Sequence, residues 1–276
     1  MAWWSVTKTA IAILALRQVA AGRLALDAAL APALPGDLAS GITLRRLLAH
    51  EAGLPDYGSL PGWHAAVAAG GDPWPRDRLL AETLAQGRPG PPGQGFHYSN
   101  IGYLLAREAL ERASDRDLAT LFAEDLAAPL GLDDSRIATG RADLARVSWL
   151  PAGGYHPGWV AHGLAIGPPS AAARLLAALA GGELLPAPLL AEMTRARPLG
   201  AAVPGRPWRR HGYGLGLMIG DLGAAGRVIG HSGGGPFSSA AVYHLPDRPG
   251  RPTLAAFAPG PGTAAETALA AAAGPA

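Results

Sequence analysis

The sequence predicts an α+β fold, in which a mostly helical lobe packs on an antiparallel sheet. Helical periodicity, with Gly and Pro at the helix ends, fills most of the first 210 residues. From about residue 211, short apolar runs alternate with Gly and Pro turns, which is typical of strands. A chain of 276 residues that is 49% hydrophobic can bury a large core. We therefore expect one unit over residues 1–276, with the helical lobe at 5–210 and the strands plus a C-terminal helix at 211–276.

The helices are predicted from apolar periodicity and from residues that begin or end a helix. The predicted helices are 5–21, 43–50, 77–86, 101–113, 116–128, 171–180 and 187–195. Gly22 ends the first of them, and Asp115 and Ser170 are predicted to cap two later ones. A Pro-rich connection follows Asp27, and residues 56–76, which lack clear periodicity, are predicted to be an irregular surface segment.

The last part of the chain is predicted to supply the sheet. The predicted strands are 213–219, 227–230, 238–245 and 253–257. Gly and Pro turns separate them, which favours an antiparallel meander. An alanine-rich helix is predicted at 263–273.

Composition and charge exclude several classes of function. The net charge is only +2 and no basic run is interleaved with aromatic residues, so nucleic acid is not a predicted partner. The absence of cysteine excludes disulfides, a thiol nucleophile and thiolate metal sites. No apolar run reaches the roughly 18–20 residues that a membrane-spanning helix needs.

The first predicted helix begins with the pattern S-x-x-K, formed by Ser5 and Lys8. Residues three apart share a helix face, and a lysine desolvated by apolar neighbours can take the proton of a serine hydroxyl. Lys8 is the only lysine in the chain. Because arginine cannot give up its proton in a protein, a lysine retained here indicates that its neutral form is needed. The alternatives are a chance match at a helix start and a secretory signal, although Arg17 interrupts the apolar run and no clean cleavage site follows.

A second motif, Y-x-N, is formed by Tyr98 and Asn100, which is the only asparagine in the chain. A tyrosine beside a lysine ammonium can have a lowered pKa and shuttle protons. An amide side chain can bind a substrate amide. The alternative is that Ser99 or Asn100 merely caps the helix that follows.

A third motif is the sequence Gly230-His231-Ser232-Gly233-Gly234 at a predicted strand edge. Glycines there would let a ligand approach the backbone N–H groups closely, and an ordinary hairpin is the alternative. The stretch also satisfies G-x-S-x-G, but the nucleophile-elbow interpretation fails because no histidine follows Asp247. The histidines that show no metal-ligand spacing, and for which solvated or structural roles are predicted, are His64, His97, His156, His162 and His211.

The ordered set S-x-x-K, Y-x-N and H-S-G resembles the serine β-lactamase and penicillin-binding protein superfamily. The Y-x-N form is most similar to class C β-lactamases, D-Ala-D-Ala carboxypeptidases and related esterases. The stretches 47–55, 129–132 and 213–216 also match family phrases, so the resemblance covers roughly residues 3–258. It implies a β-lactamase/transpeptidase-like fold and a serine hydrolase, with no metal or cofactor.

The resemblance implies a role for each matching residue of the reaction centre. Ser5 would be the acylated nucleophile and Lys8 its proton acceptor. Tyr98 would pass the proton to the leaving group and later help to activate the deacylating water. Asn100 would bind a substrate carbonyl.

The resemblance also implies that the H-S-G strand binds substrate. His231, Ser232 and Gly233 would line the strand that recognises a substrate carboxylate. The N–H groups of Ser5 and Gly234 would form the oxyanion hole. His231 replaces the lysine typical of true β-lactamases and is largely neutral near pH 7, which favours peptidase or esterase activity.

Family members normally carry some tens of residues before the nucleophile, whereas four precede Ser5 here. We expect either a misplaced start or a sheet with truncated N-terminal strands. The compartment is left open: cytoplasmic as written, periplasmic or secreted if the true start lies upstream. The predicted substrates are D-amino-acid peptides, β-lactams or short-chain esters. The alternative is a non-catalytic peptide- or partner-binding protein on the same fold, inactive through loss of its N-terminal segment.

Overall fold

A six-stranded antiparallel sheet and a group of helices make up the structure, a computed structural model that describes residues 1–30 and 39–274. The strands of the sheet, in spatial order, are β3 (Arg197–Gly200), β4 (Arg210–Tyr213), β5 (Met218–Asp221), β6 (Arg227–Gly234), β7 (Ser238–His244) and β8 (Thr253–Pro259). Each strand is antiparallel to its neighbours. The predicted α+β fold and antiparallel meander are confirmed.

Most predicted helices are present with boundaries shifted by a few residues. The helices are α1 (Thr7–Ala20), α2 (Leu44–Leu48), α3 (Pro61–Ala68), α4 (Arg76–Leu84), α5 (Asn100–Ser114), α6 (Leu118–Phe122), α7 (Ala128–Leu130), α8 (Pro169–Ala180), α9 (Ala187–Met193) and α10 (Ala264–Ala272). A π-helical turn at Ala123–Ala127 connects α6 to α7. Two short strands, β1 (Arg136–Ala138) and β2 (Leu164–Ile166), form a separate antiparallel pair.

Helix α1 is the centre of the helical layer. Its residues from Thr7 to Leu16 are all buried, because the segment is apolar on every face and can be stable only inside the core. It packs against α5 on one side, and the turn before it packs against β6. Helices α8 and α10 pack on β7 and β8. The chain segment before α1 thus lies at the junction of the two layers.

The prediction of a single strand over residues 213–219 is wrong. A turn separates β4 from β5, with a hydrogen bond of 2.8 Å from Gly214 N to Leu217 O. Gly216 in this turn has a φ of +73°, which glycine adopts without steric cost. Strands β1, β2 and β3 were not predicted; each is only three or four residues long, too short for periodicity to identify.

Two local predictions also need correction, whereas the predicted cap at Asp115 is present at the end of α5. The segment 56–76 is not wholly irregular, because it contains α3, which has proline at its first position. Ser170 does not cap α8, which starts one residue earlier after Pro168. Asp115 ends α5 with a φ of 54°, and Asp117 caps α6 by accepting a hydrogen bond from Thr120 N. Part of the predicted Pro-rich connection falls on residues 31–38, outside the described residues.

Candidate active site

Ser5 lies in the 3-10 turn Trp4–Val6, directly before α1. The Trp4 backbone has a positive φ of 48°, a conformation that persists only where the surroundings hold it. The Trp4 ring packs edge-on against Tyr155, and its Nε1 donates a 2.9 Å hydrogen bond to Ser238 Oγ. The turn presents Ser5 at the positive end of a buried helix, where developing negative charge is stabilised.

Two of the predicted catalytic groups meet at the Ser5 hydroxyl. Lys8 Nζ lies 3.0 Å from Ser5 Oγ, and the Tyr98 hydroxyl donates a hydrogen bond of 2.7 Å to the same oxygen. Lys8 is close because it follows Ser5 by three residues, whereas Tyr98 arrives from the loop before α5. The structure thus places a potential base and a potential acid on one nucleophile.

The Lys8 amino group is fully buried and has three polar neighbours. Besides Ser5 Oγ, these are Asn100 Oδ1 at 2.7 Å and His162 Nε2 at 3.2 Å. Burial lowers the pKa of Lys8 to about 7, because desolvation disfavours the ammonium, and the nearby Asp56 carboxylate only partly opposes this. A substantial fraction of Lys8 is therefore neutral near pH 7.

The neighbours of Lys8 determine where its lone pair points. A neutral amine has two N–H bonds and one lone pair. Asn100 Oδ1 can only accept, and His162 Nε2 accepts in the tautomer that carries the proton on Nδ1. In that tautomer both N–H bonds are used and the lone pair faces the Ser5 hydroxyl, which is the geometry of a general base.

A solvated or structural role was predicted for His162, and the solvated alternative is wrong because the side chain is buried. It is 2% exposed and contacts Lys8 across 154 residues of sequence. Burial, and secondarily Lys8, holds the pKa of His162 well below its usual range, so the ring is neutral. Its Nδ1 has no hydrogen-bond partner among the described residues. No sequence signal beyond the presence of a histidine pointed to this contact.

The expectation of a lowered Tyr98 pKa is wrong. Burial raises the pKa of Tyr98, and the hydrogen bond to Ser5 opposes this only in part. The reason is that the low-dielectric surroundings that neutralise Lys8 also disfavour a phenolate. Tyr98 is therefore a neutral phenol that still carries its proton.

His50 holds the loop that carries Tyr98. Its ring lies against the Tyr98 ring with centroids 4.2 Å apart, and its Nδ1 accepts a 3.1 Å hydrogen bond from Ser99 N. Its carbonyl accepts a 2.8 Å bond from His97 N. His50 belongs to the family phrase at 47–55, so a sequence signal for this residue existed although no role was assigned to it.

Asp56 fixes the orientation of Asn100. One carboxylate oxygen accepts a 2.8 Å hydrogen bond from Asn100 N, and the other lies 3.2 Å from Asn100 Nδ2. The amide is thereby oriented with its oxygen towards Lys8. Burial raises the pKa of Asp56, and the hydrogen bonds from Asn100 oppose this. Ser99, rather than Asn100, caps α5 through Gly102 N, so Asn100 is available to the site.

Strand β6 passes so close to Ser5 that only glycine fits at position 233. A Cβ on Gly233 would lie 2.5 Å from Ser5 N and 2.9 Å from Trp3 O, well inside van der Waals contact. The backbone at Gly233 therefore lies beside the Ser5 N–H, and Gly234 follows it at the end of β6. An oxyanion hole formed by the N–H groups of Ser5 and Gly234, as the resemblance implies, requires this closeness.

His231 on β6 is uncharged and buried. Its Nδ1 donates to Ser232 O at 2.5 Å, so its Nε2 accepts from the Tyr213 hydroxyl at 2.8 Å. Burial, and secondarily Lys8, lowers the pKa of His231 to about 3. It cannot form an ion pair with a substrate carboxylate near neutral pH.

A cation that sequence reasoning missed lies beside Ser232 instead. Arg206 donates a 3.0 Å hydrogen bond to Ser232 Oγ and pairs with Glu266 at 2.7 Å. Glu266, only 1% exposed, also accepts from Trp208 Nε1 and the Tyr243 hydroxyl. Glu266 is the only acidic residue of the alanine-rich segment 263–273, and that isolation was the available signal.

Two cavities meet at Ser5. The first, here called the charged cavity, has a volume of about 840 Å³. Its lining includes Tyr98, Arg206, His231, Ser232 and Glu266. The second, here called the aromatic cavity, has a volume of about 660 Å³. Its lining includes Trp4, Tyr57, Trp63, Tyr155, Trp159 and Asn100. Both volumes suit a small organic substrate.

The described part of the chain contains no helix long and apolar enough to cross a membrane. Within residues 1–30 and 39–274, no group of three or more His, Asp or Glu residues is arranged to hold a metal ion.

Comparison with known protein families identifies the family of this chain. A family model described as Beta-lactamase matches residues 1–272. The chain belongs to the beta-lactamase family. The resemblance carried by the three motifs is thus confirmed, and the family match supports the predicted class of enzyme, a serine hydrolase.

Individual relatives agree with the family. The crystal structure of a D-stereospecific amidohydrolase from Streptomyces sp. is similar with a TM-score of 0.81 and 26% identity, covering 99% of this chain and 86% of that one. D-amino acid amidase from Ochrobactrum anthropi SV3 shares the fold, with a TM-score of 0.73 and 21% identity over 94% of this chain and 77% of that one. Penicillin-binding protein 4* from Bacillus subtilis strain 168 is 31% identical over 122 residues, which are 41% of this chain and 25% of that protein.

Proposed function

We propose that the protein hydrolyses amide or ester bonds through an acyl-enzyme formed on Ser5. The observation that carries the proposal is the double contact at Ser5 Oγ, with Lys8 Nζ at 3.0 Å and the Tyr98 hydroxyl at 2.7 Å. A protein that only binds a ligand does not require a desolvated lysine amine next to a serine hydroxyl. The similarity to an amidohydrolase at 26% identity favours amides as the first substrates to test.

In the acylation step, neutral Lys8 removes the proton of Ser5 as its oxygen attacks the substrate carbonyl carbon. The carbonyl oxygen becomes an oxyanion that accepts hydrogen bonds from the N–H groups of Ser5 and Gly234. Tyr98 then donates its proton to the leaving nitrogen or oxygen as the C–N or C–O bond breaks. Lys8 passes the proton that it took from Ser5 to Tyr98, so Tyr98 is a phenol again and, in net, one proton has moved from Ser5 to the leaving group.

Deacylation reverses these roles with water as the nucleophile. Water gives one proton to the Lys8 and Tyr98 pair and attacks the ester carbonyl carbon. The Ser5 oxygen leaves and regains a proton, which releases the acid. Because burial raises the pKa of Tyr98 and so disfavours its phenolate, Tyr98 gives up a proton only as Lys8 supplies another in its place.

Intact-mass spectrometry tests the proposal directly. The protein is incubated with benzylpenicillin and, separately, with p-nitrophenyl phenylacetate, with Ser5→Ala in parallel. We expect a covalent adduct of the acyl mass with at least one reagent, only in the wild type, on the peptide that contains Ser5. Absence of any adduct from a folded wild-type protein would contradict the proposal and favour the non-catalytic binding protein.

A further inference from the structure

The positions of the two cavities predict the orientation in which a substrate binds. Ser5 lines both, whereas Tyr98 lines only the charged cavity and Asn100 only the aromatic one. Under the proposed function, Tyr98 protonates the leaving group, so the leaving group must be on the side of Tyr98. The acyl part of the substrate then enters the aromatic cavity.

The aromatic cavity is bounded by the faces of several rings. Trp63 packs against Tyr57 with centroids 5.2 Å apart and edge-on against Trp159 at 6.1 Å. Trp4 and Tyr155 also line the cavity and pack edge-on, with centroids 5.7 Å apart. Ring faces of this kind bind apolar and aromatic groups in offset or edge-to-face contact.

Three polar atoms of these rings have partners elsewhere in the protein. Trp159 Nε1 donates to Gly71 O at 3.2 Å, and the Tyr57 hydroxyl oxygen accepts from Ala161 N at 3.2 Å. Trp4 Nε1 is bound to Ser238, as described above. The rings therefore offer mainly hydrocarbon surface to a ligand.

No Asp, Glu, Lys or Arg is among the described residues that line the aromatic cavity. Nearby Asp56 is not among the residues that line the cavity, and its carboxylate accepts hydrogen bonds from Asn100. An ammonium group carried into this cavity would lose its hydration without gaining a carboxylate partner, which is costly. An uncharged acyl group meets no such cost.

We propose that the aromatic cavity is an acyl-group subsite that selects substrates whose acid part is an uncharged aromatic group, such as an arylacetyl group. This inference rests on the proposed function. It goes beyond that function because it names the substrate class and the side chains that select it.

The test uses three p-nitrophenyl esters that share one leaving group: acetate, phenylacetate and α-ammonium phenylacetate (the phenylglycine ester). For each ester, kcat/KM is measured from nitrophenolate release by the wild type after the rate with Ser5→Ala is subtracted. Each value is then divided by the rate of spontaneous hydrolysis of the same ester. We expect phenylacetate to exceed both other esters by about tenfold or more, because a ring contact is worth at least as much as a methylene in an apolar pocket.

Two tryptophan variants show whether the cavity causes this preference. Trp63 lines the cavity, whereas Trp74 does not line it but contacts Trp159 edge-on in the same way, at 6.2 Å. Both side chains are half-buried. We expect Trp63→Ala to lower the phenylacetate-to-acetate ratio by about fivefold to tenfold, and Trp74→Ala to leave the ratio within twofold of the wild type.

The inference is overturned if acetate or the ammonium ester reacts as well as phenylacetate. It is also overturned if Trp63→Ala leaves the ratio unchanged, or if Trp74→Ala lowers it equally. Ser5-dependent release without preference would refute only this inference. Absence of Ser5-dependent release with all three esters would refute the proposed function itself.

Discussion

Replacing His162 by phenylalanine tests how Lys8 is oriented. Phenylalanine keeps the bulk of the buried ring but removes the nitrogen that lies 3.2 Å from Lys8 Nζ. The amine would keep Asn100 and Ser5 as polar neighbours. The other titratable groups around Lys8 are left unchanged; they are Asp56, Tyr98, Tyr103, His50 and His231.

The size of the effect follows from the lost contact. A hydrogen bond to a charged group contributes about 1.5–3 kcal/mol, against about 0.5–1.5 kcal/mol for a neutral pair. The ammonium form of Lys8 therefore loses about 1–1.5 kcal/mol more than the neutral form. Since one pKa unit corresponds to about 1.4 kcal/mol, the pKa of Lys8, about 7 in the wild type, should fall by about one unit.

The assay is the pH dependence of kcat/KM with p-nitrophenyl phenylacetate. Lys8 must be neutral to act, so activity rises with pH through its pKa. In His162→Phe the rise should move about one pH unit lower, while the plateau falls about tenfold because one N–H bond no longer orients the lone pair. His162→Gln, which offers an amide oxygen to Lys8, should restore most of the plateau and the wild-type pH midpoint.

A purely structural role for His162 would lower activity without moving the pH midpoint. An unchanged midpoint in His162→Phe, with thermal unfolding like that of the wild type, would therefore refute the reasoning. Equal impairment of the Gln and Phe variants would do the same. His244→Phe, at the end of β7 and bound to Thr253, is the matched control and should leave the profile unchanged.

Three further predictions concern stability and backbone packing. Because burial lowers the pKa of Lys8 from 10.5 to about 7, only the unfolded chain holds this proton between those pH values, so the wild type loses stability as the pH falls through that window. The quantity to compare is the free energy of unfolding in urea of Lys8→Met minus that of the wild type. This difference should rise by about 1.4 kcal/mol for each unit by which the pH falls from 9 to 7. A pH-independent difference would contradict the burial of a titrating amine. Glu266→Ala leaves Arg206 without its buried partner and should lower the free energy of unfolding by about 3 kcal/mol. Asp247→Ala breaks an exposed pair with Arg227 and should have a much smaller effect, because solvent screens such a pair. Equal effects of the two variants would contradict the role given to burial. Gly233→Ala should reduce the rate of Ser5 acylation at least about tenfold, because its methyl group would displace the Ser5 backbone from the oxyanion position. The control is Gly153→Ala, whose methyl group meets nothing within 4 Å and which should be acylated normally. Normal acylation of both variants would refute the close approach of Gly233 to Ser5.

Local patterns predicted most of the helical layer and the order of the later strands. They failed where a short element depends on its neighbours. The turn that separates β4 from β5 interrupts an apolar run that resembles one strand. Strand β3 lies within the part assigned to the helical lobe and is held by its pairing with β4. The stretch 56–76 lacks periodicity because α3 lies on the surface, yet it supplies a wall of the aromatic cavity through Trp63.

By itself, the sequence determined the family and predicted the nucleophile. Ser5 and Lys8 meet because three residues of helix separate them, which is a local geometric fact. The Y-x-N and H-S-G motifs were identifiable for the same reason, since each is a short run carrying its own chemistry. Only the tertiary structure decided which groups complete the site. His162 reaches Lys8 from 154 residues away, and Arg206 reaches Glu266 from 60 residues away. It also decided the protonation states of Lys8 and Tyr98, because burial is a property of the packed chain and desolvation always favours the neutral form.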